Sequence, residues 1–183
     1  MSPRRPRSAA IACAVAGLAA LAMTGCGKVE HKIGREGQGI RVGGVTYNVY
    51  ITRQLNPFDA EDSAYTQGEK ADVPGYYFYG VFLTACNEND HGSRLMPTSN
   101  FAIRDSQGDR FMPLSLPKTN IFAYRPKPLA KKSCVPPVGS IAATAPSSGA
   151  LLIFKVPVVA VENRPLELQI QAGGESHRIE LDI

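Results

Sequence analysis

The sequence predicts an antiparallel β-sandwich of about seven short strands. Three observations point there. Apolar residues alternate with polar ones in several segments, as in β Val45, Tyr47, Val49 and Ile51 against Thr46, Asn48, Tyr50 and Thr52. Turn residues punctuate these segments, with 17 Gly and 14 Pro in 183 residues, too many for a helix bundle and too few for a disordered chain. No segment past the first 25 residues carries an apolar stripe of 3.6-residue period. A chain of this length fits one domain of ordinary size.

The strands follow in order. Val45 to Thr52 reads as a half-buried strand with Val45, Tyr47, Val49 and Ile51 inward, and Asn56-Pro57 breaks it. Asp59 to Pro74 is acidic and poorly periodic, a long loop with room for one helical turn. Tyr76 to Asn87 is the strongest β segment, dense in aromatic and branched residues, with Val81, Leu83 and Ala85 on one face. Asn89-Asp90-His91-Gly92 turns the chain. Phe101 and Ile103 form a short strand, Ser106-Gln107-Gly108 a turn, and Phe111 to Leu114 the return, with Pro113 and Pro117 barring a central position. Lys118 to Pro137 is a proline-rich basic loop. Ala150 to Val156 is apolar and stops at Pro157. Leu166, Leu168 and Ile170 pair with Ile179, Leu181 and Ile183 through Gly173-Gly174, the clearest hairpin in the chain.

Residues 1–25 describe an export signal rather than a piece of the fold. Arg4, Arg5 and Arg7 precede an unbroken run of small apolar residues from Ala9 to Met23, too short to cross a bilayer as a helix. Pro6 and Arg7 follow the paired arginines where a twin-arginine signal wants a hydrophobic pair, which favours the general secretion route. The exit, Leu21-Ala22-Met23-Thr24-Gly25-Cys26, resembles the lipobox of bacterial lipoproteins, in which the cysteine is acylated and becomes the new N-terminus. Met23 stands where Leu is usual. The alternative is a plain secretory signal with a coincidental cysteine. Acylation would matter physically, because two or more chains hold a protein stably at a membrane where one does not. The expected location is the extracytoplasmic face of the cell membrane, with residues 26–39, charged and glycine-rich, as a flexible tether and residues 40–183 as the folded domain.

The leader also accounts for most of the net charge of +4. Without its three arginines the chain has 17 basic and 16 acidic residues, so composition gives no reason to expect nucleic acid as a partner. Cysteine usage agrees with export. Cys13 leaves with the leader, Cys26 is the lipid site, and Cys86 and Cys134 remain, a pair that usually oxidises outside the cytoplasm. They are not spaced as a CxxC redox motif, so the expected bridge is structural, with two unpaired thiols as the alternative.

Three stretches resemble a bacterial family of telokin-like, immunoglobulin-like extracytoplasmic domains whose function is itself unsettled. They are Val81-x-Leu83-x-Ala85-x-Asn87, then Phe101-x-Ile103-x-Asp105-x-x-Gly108, and finally Leu152 to Pro157 followed by Leu166-x-Leu168. The likeness spans Ile40 to Ile183. It implies an immunoglobulin-like sandwich in a secreted or lipid-anchored protein, in a family not known for enzymes. The acidic stretch before Tyr76, the basic loop after Leu116 and the cysteine pair depart from the pattern.

Catalytic constellations are poor, and no cofactor or metal is expected. Ser115-Leu116-Pro117-Lys118 fits SxxK, but Pro113 and Pro117 bar the helix that brings such a Lys onto its Ser. No GxSxG, HExxH or phosphate-binding glycine loop occurs, and His31, His91 and His177 are isolated. Asn87, Asn89, His91 and Gly92 fit the start of a calcium loop poorly, since the twelfth position is Thr98 rather than Glu. Asp59, Glu61 and Asp62 could bind a cation weakly or form a solvated loop.

Charge is unevenly spread. Asp59 to Asp109 holds nine acids and three bases, whereas Arg110 to Val161 holds seven bases and no acid. Arg125, Lys127, Lys131 and Lys132 cluster in the proline-rich loop. This loop either meets an anionic partner, such as lipid headgroups or an envelope polymer, or is neutralised by the acidic half. The expected function is therefore a non-enzymatic, membrane-anchored binding or interaction module of the cell envelope, meeting an envelope protein or polymer. The alternatives are a small envelope hydrolase and a structural spacer.

Overall fold

The computed structural model describes residues 33–67, 69 and 73–183; the leader, Cys26 and His31 lie outside the described residues. Two five-stranded sheets face each other, so the expected β-sandwich is the observed architecture. Ten strands appear in chain order: β1 (Ile33–Arg35), β2 (Ile40–Val42), β3 (Val45–Leu55), β4 (Tyr76–Asn87), β5 (Phe101–Arg104), β6 (Arg110–Phe111), β7 (Ser133–Val135), β8 (Ala150–Pro157), β9 (Glu167–Ala172) and β10 (Glu175–Glu180). Three short helices join them, α1 (Ala60–Tyr65), α2 (Ile141–Thr144) and α3 (Val158–Val161). The first sheet runs β1-β10-β9-β5-β6. The second runs β2-β3-β4, with β7 and β8 sharing the far side of β4.

Strand β4 organises the second sheet. It pairs antiparallel with β3 from Phe78 to Cys86, with β8 from Tyr76 to Leu83, and with β7 from Ala85 to Asn87. Tyr79, Val81, Leu83 and Ala85 project into the main core, where they meet Phe154 of β8 and Leu168, Ile170 and Ile179 of the opposite sheet. Phe78 and Phe82, on the other face of β4, enter a second cluster with Leu55, Tyr65, Leu151 and Ile153. A strand apolar on both faces is the mark of burial from both sides.

Two sequence expectations are corrected. The alternation in β3 is interrupted by a bulge: Val49 pairs with Leu83, yet Ile51 already pairs with Phe82. The extra residue flips every later side chain to the opposite face. Ile51 is consequently 40% exposed while Thr52 is buried. The stretch expected to be tether through Gly39 includes β1, which pairs in parallel with β10 from Ile33 against Arg178 to Arg35 against Glu180. The Gly37 amide also bonds to the Val49 carbonyl at 2.7 Å. A three-residue strand is too short to show a period, which is why β1, β2 and β7 leave no mark in the pattern.

The β9–β10 hairpin turns through Gly173 and Gly174, with φ of 58° and 84°. Positive φ at both central residues is the two-residue turn that matches strand twist, and glycine adopts it freely. The neighbouring turn between β2 and β3 packs against it. The Gly43 amide donates to Glu175 Oε2 at 2.8 Å, and a Cβ on Gly43 would lie 2.7 Å from that of Ala172. These contacts bind the two sheets at one end. Cys86 and Cys134 form a disulfide at this same end, between directly opposed residues of β4 and β7, so the bridge lies within one sheet.

The bridge closes a chain separation of 48 residues, a constraint on the unfolded chain worth up to about 4 kcal/mol. Unreduced protein should offer no alkylatable thiol at Cys86 or Cys134, and the Cys86→Ser/Cys134→Ser variant should lose roughly 2–4 kcal/mol in urea unfolding. Reactive thiols at either position, or a variant as stable as the parent, would contradict this assignment.

Candidate functional site

The basic loop lies at the disulfide end, and the residues that hold it there are those of the strand motif. Asn87, at the end of β4, is buried; its Nδ2 donates to the Leu129 carbonyl at 3.2 Å and its Oδ1 accepts from the Asn89 amide at 3.2 Å. Leu129 and Leu95 exchange backbone hydrogen bonds at 2.8 and 3.0 Å, which ties the loop before β7 to the loop after β4. Buried backbone groups thereby find partners without regular structure. A pair of interior tyrosines holds the second loop to the core. Tyr124 Oη donates to the Thr98 carbonyl at 2.9 Å, and the Thr98 amide donates to Tyr47 Oη at 2.7 Å. Phe101 packs edge-on against both rings.

Between the two loops opens a cleft of about 490 Å³, walled by Arg94, Lys127 and Lys132 and floored by Leu129 and Cys134. The cleft is open and mixed in polarity, suited to surface contact more than to enclosing a small molecule. Arg94 was not singled out by the sequence. It stands 33 residues from Lys127, and only the Leu95–Leu129 pairing, which has no linear signature, brings the two together.

The four predicted basic residues separate into two groups. Arg125 is engaged structurally, with Nη2 donating to the carbonyls of Leu116 and Pro117 at 3.2 and 2.5 Å. Lys132 adopts the left-handed backbone region (φ 54°), which costs an L residue about 1–2 kcal/mol. Its ammonium donates to the Glu88 carbonyl and pairs with Asp90, each at 2.8 Å. That pair is largely exposed and contributes little on its own. Lys127 and Lys131 are exposed and make no ion pair among the described residues. Of the ion pairs described, Lys132–Asp90 alone joins the acidic and basic stretches. Mutual neutralisation is therefore slight.

The remaining candidates serve the scaffold. Asp59 caps α1, accepting from the amides of Glu61 and Asp62. Asp62 is buried and binds Arg53 Nη2 at 2.5 Å and the Asn56 amide at 2.8 Å, while Glu61 meets the same guanidinium at 3.0 Å. These carboxylates dock a short helix rather than await a cation. Asp105 accepts from the amides of Gln107 and Asp109 at 3.0 and 2.8 Å and from Asn163 Nδ2 at 3.1 Å, so the Asp-and-Gly motif is a turn stapled to the start of the β9 arm. Asn89 accepts from Arg41, and Thr98 donates to the Gln171 carbonyl, which occupies the oxygens of the calcium-like run. Ser115 and Lys118 lie in irregular backbone, not on a helix. His91 is exposed in a turn and His177 lies in β10. Among the described residues no three His, Cys, Asp or Glu side chains are grouped to hold a metal ion, and no helix is long and apolar enough to cross a membrane.

No family model matches the sequence, and no curated protein matches it. Among solved structures, the chain is similar to the yjhA protein from Bacillus subtilis, with a TM-score of 0.51 at 10% identity, over 81% of this chain and 99% of that one. It also aligns with an uncharacterized β-sandwich protein from Clostridium difficile, at a TM-score of 0.44 and 12% identity, over 84% of this chain and 95% of that one. At such identity the first likeness establishes a shared fold and nothing about activity.

Three interior tyrosines, the two that hold the loop and Tyr79 in the main core, resist ionisation. Burial pushes the phenols of Tyr124, Tyr47 and Tyr79 above the ordinary 10.0. A pKa raised in the folded state means the native protein holds protons that the unfolded chain has lost. The stabilisation is thus complete below pH 10 and declines as pH rises beyond it. Alkaline titration followed by ultraviolet absorbance should show these three phenols still largely protonated in the folded protein at pH 10. Their ionisation in a still-folded protein at pH 10 would contradict the network described.

Proposed function

We propose that this protein is a non-enzymatic interaction module of the cell envelope, lipid-anchored through Cys26 on the extracytoplasmic face, and that it works through the loops at the disulfide end of the sandwich. The observation that carries this reading is the basic cleft. Two exposed loops of unrelated sequence are fastened together by buried polar groups, and the cations they display, Arg94, Lys127 and Lys131, make no ion pair among the described residues. A rigid sheet with cations held on its loops suits recognition of a charged surface. The carboxylates that stand out in the sequence, Asp59, Glu61, Asp62 and Asp105, are engaged in capping, in helix docking and in a turn.

The anchor is supported by sequence: the apolar run of the leader ends just before Gly25-Cys26. The immunoglobulin-like family resemblance adds the same compartment. Protein taken from native membranes should begin at residue 26 and carry acyl mass on Cys26, and the Cys26→Ser variant should leave the membrane fraction. An unacylated residue 26, or a variant that stays membrane-bound, would overturn the anchor.

A further inference from the structure

The direction of β1 bears on which end of the sandwich an anchor at Cys26 would hold near the membrane. β1 runs parallel to β10, and Ile33 pairs with Arg178, three residues beyond the start of β10 at Glu175. The start of β10 lies at the disulfide end, where Glu175 binds Gly43. β1 therefore enters its sheet from the disulfide end, and Ile33 lies about 10 Å from that end at the rise of a strand. The opposite end, carrying Phe58 and α1, lies roughly 25 Å off, judged from the length of β4. Cys26 precedes Ile33 by seven residues, which reach at most about 24 Å fully extended. An anchor at residue 26 brings the near end to the bilayer easily. The far end lies at the limit of that reach.

Charge favours the same end. It carries three acids: Asp90 pairs with Lys132, whereas Glu88 and Glu175 accept from the neutral Thr46 hydroxyl and Gly43 amide. Cations outnumber these three acids there: Arg41, Arg94, Lys127, Lys131 and Lys132. The far end carries Asp59, Glu61 and Asp62 around α1, against which the single guanidinium of Arg53 is set. A molecule with cations toward its anchor and carboxylates away from it is oriented by a negatively charged surface.

We infer that the disulfide end of the sandwich docks on the anionic headgroups of the membrane that anchors it, through Arg94, Lys127 and Lys131. The inference rests on anchoring at Cys26, and its test is arranged to be independent of native acylation. In a chain starting at residue 26, which keeps both sheets and both apolar clusters, Cys26 is the single free thiol once Cys86 and Cys134 are bonded. It can be coupled to maleimide lipid in vesicles. The chain has no Trp, so a single reporter placed at exposed Met96 or exposed Phe58 marks each end.

On phosphatidylglycerol vesicles doped with a headgroup spin label, Met96→Trp fluorescence should be quenched severalfold more than Phe58→Trp. The difference should vanish on phosphatidylcholine, in high salt, and in the Arg94→Gln/Lys127→Gln/Lys131→Gln variant. Equal quenching at the two ends, or a preference that persists in that variant or on neutral vesicles, would overturn the docking. So would unchanged quenching in a variant that has lost retention of a soluble anionic polymer, which would make the polymer the occupant. Failure here leaves acylation of Cys26 standing, and failure of acylation leaves this surface property measurable.

Discussion

The structure depends on the burial of β4 from both sides. A strand in a two-layer sandwich normally buries one face, but here Val81, Leu83 and Ala85 fill the space between the sheets while Phe78 and Phe82 lie beneath α1 and the segment from Leu114 to Ala123. Gly80 marks how tight this is. A Cβ there would meet Leu55, Phe82 and Leu151 at 3.0 to 3.2 Å. Close packing on both faces leaves no freedom to shift the register of β3, β7 or β8. The position of the disulfide end, and of the loops it carries, follows from that fixed strand.

The loops at this end are irregular without being loose. Their backbone groups are satisfied by Asn87, by the Leu95–Leu129 pairing and by the two interior tyrosines, so each exposed cation projects from a held segment. Fixed charges lose less entropy on meeting a surface than charges on a free tail. The same logic explains why conspicuous polar residues elsewhere are not sites. Asp62 and Asp105 are buried because they bind backbone amides, and a buried carboxylate without such partners would be costly.

The fold was largely legible in the sequence. Period-two alternation located β3 and the β9–β10 hairpin, dense apolar runs located β4 and β8, and export chemistry suggested the disulfide that joins Cys86 to Cys134. What escaped was short or non-local. A single bulged residue in β3 moved Ile51 outward. β1 and β7 are three residues long and form through partners more than 45 residues away. The site was half legible: Lys127 and Lys131 stood out as a cluster, but Arg94 joins Lys127 only through tertiary pairing. Arg125 and Lys132 looked equivalent to their neighbours until their hydrogen bonds were seen.

If β4 joins the two apolar clusters into one cooperative unit, its amides should exchange with solvent only when the whole domain unfolds. Native-state hydrogen exchange across increasing denaturant measures this residue by residue. Amides from Phe78 through Ala85 should share one opening free energy, equal to that of global unfolding. Separate opening free energies for the α1-side residues and the disulfide-side residues would mean that the clusters unfold independently, and that β4 does not bind the molecule together.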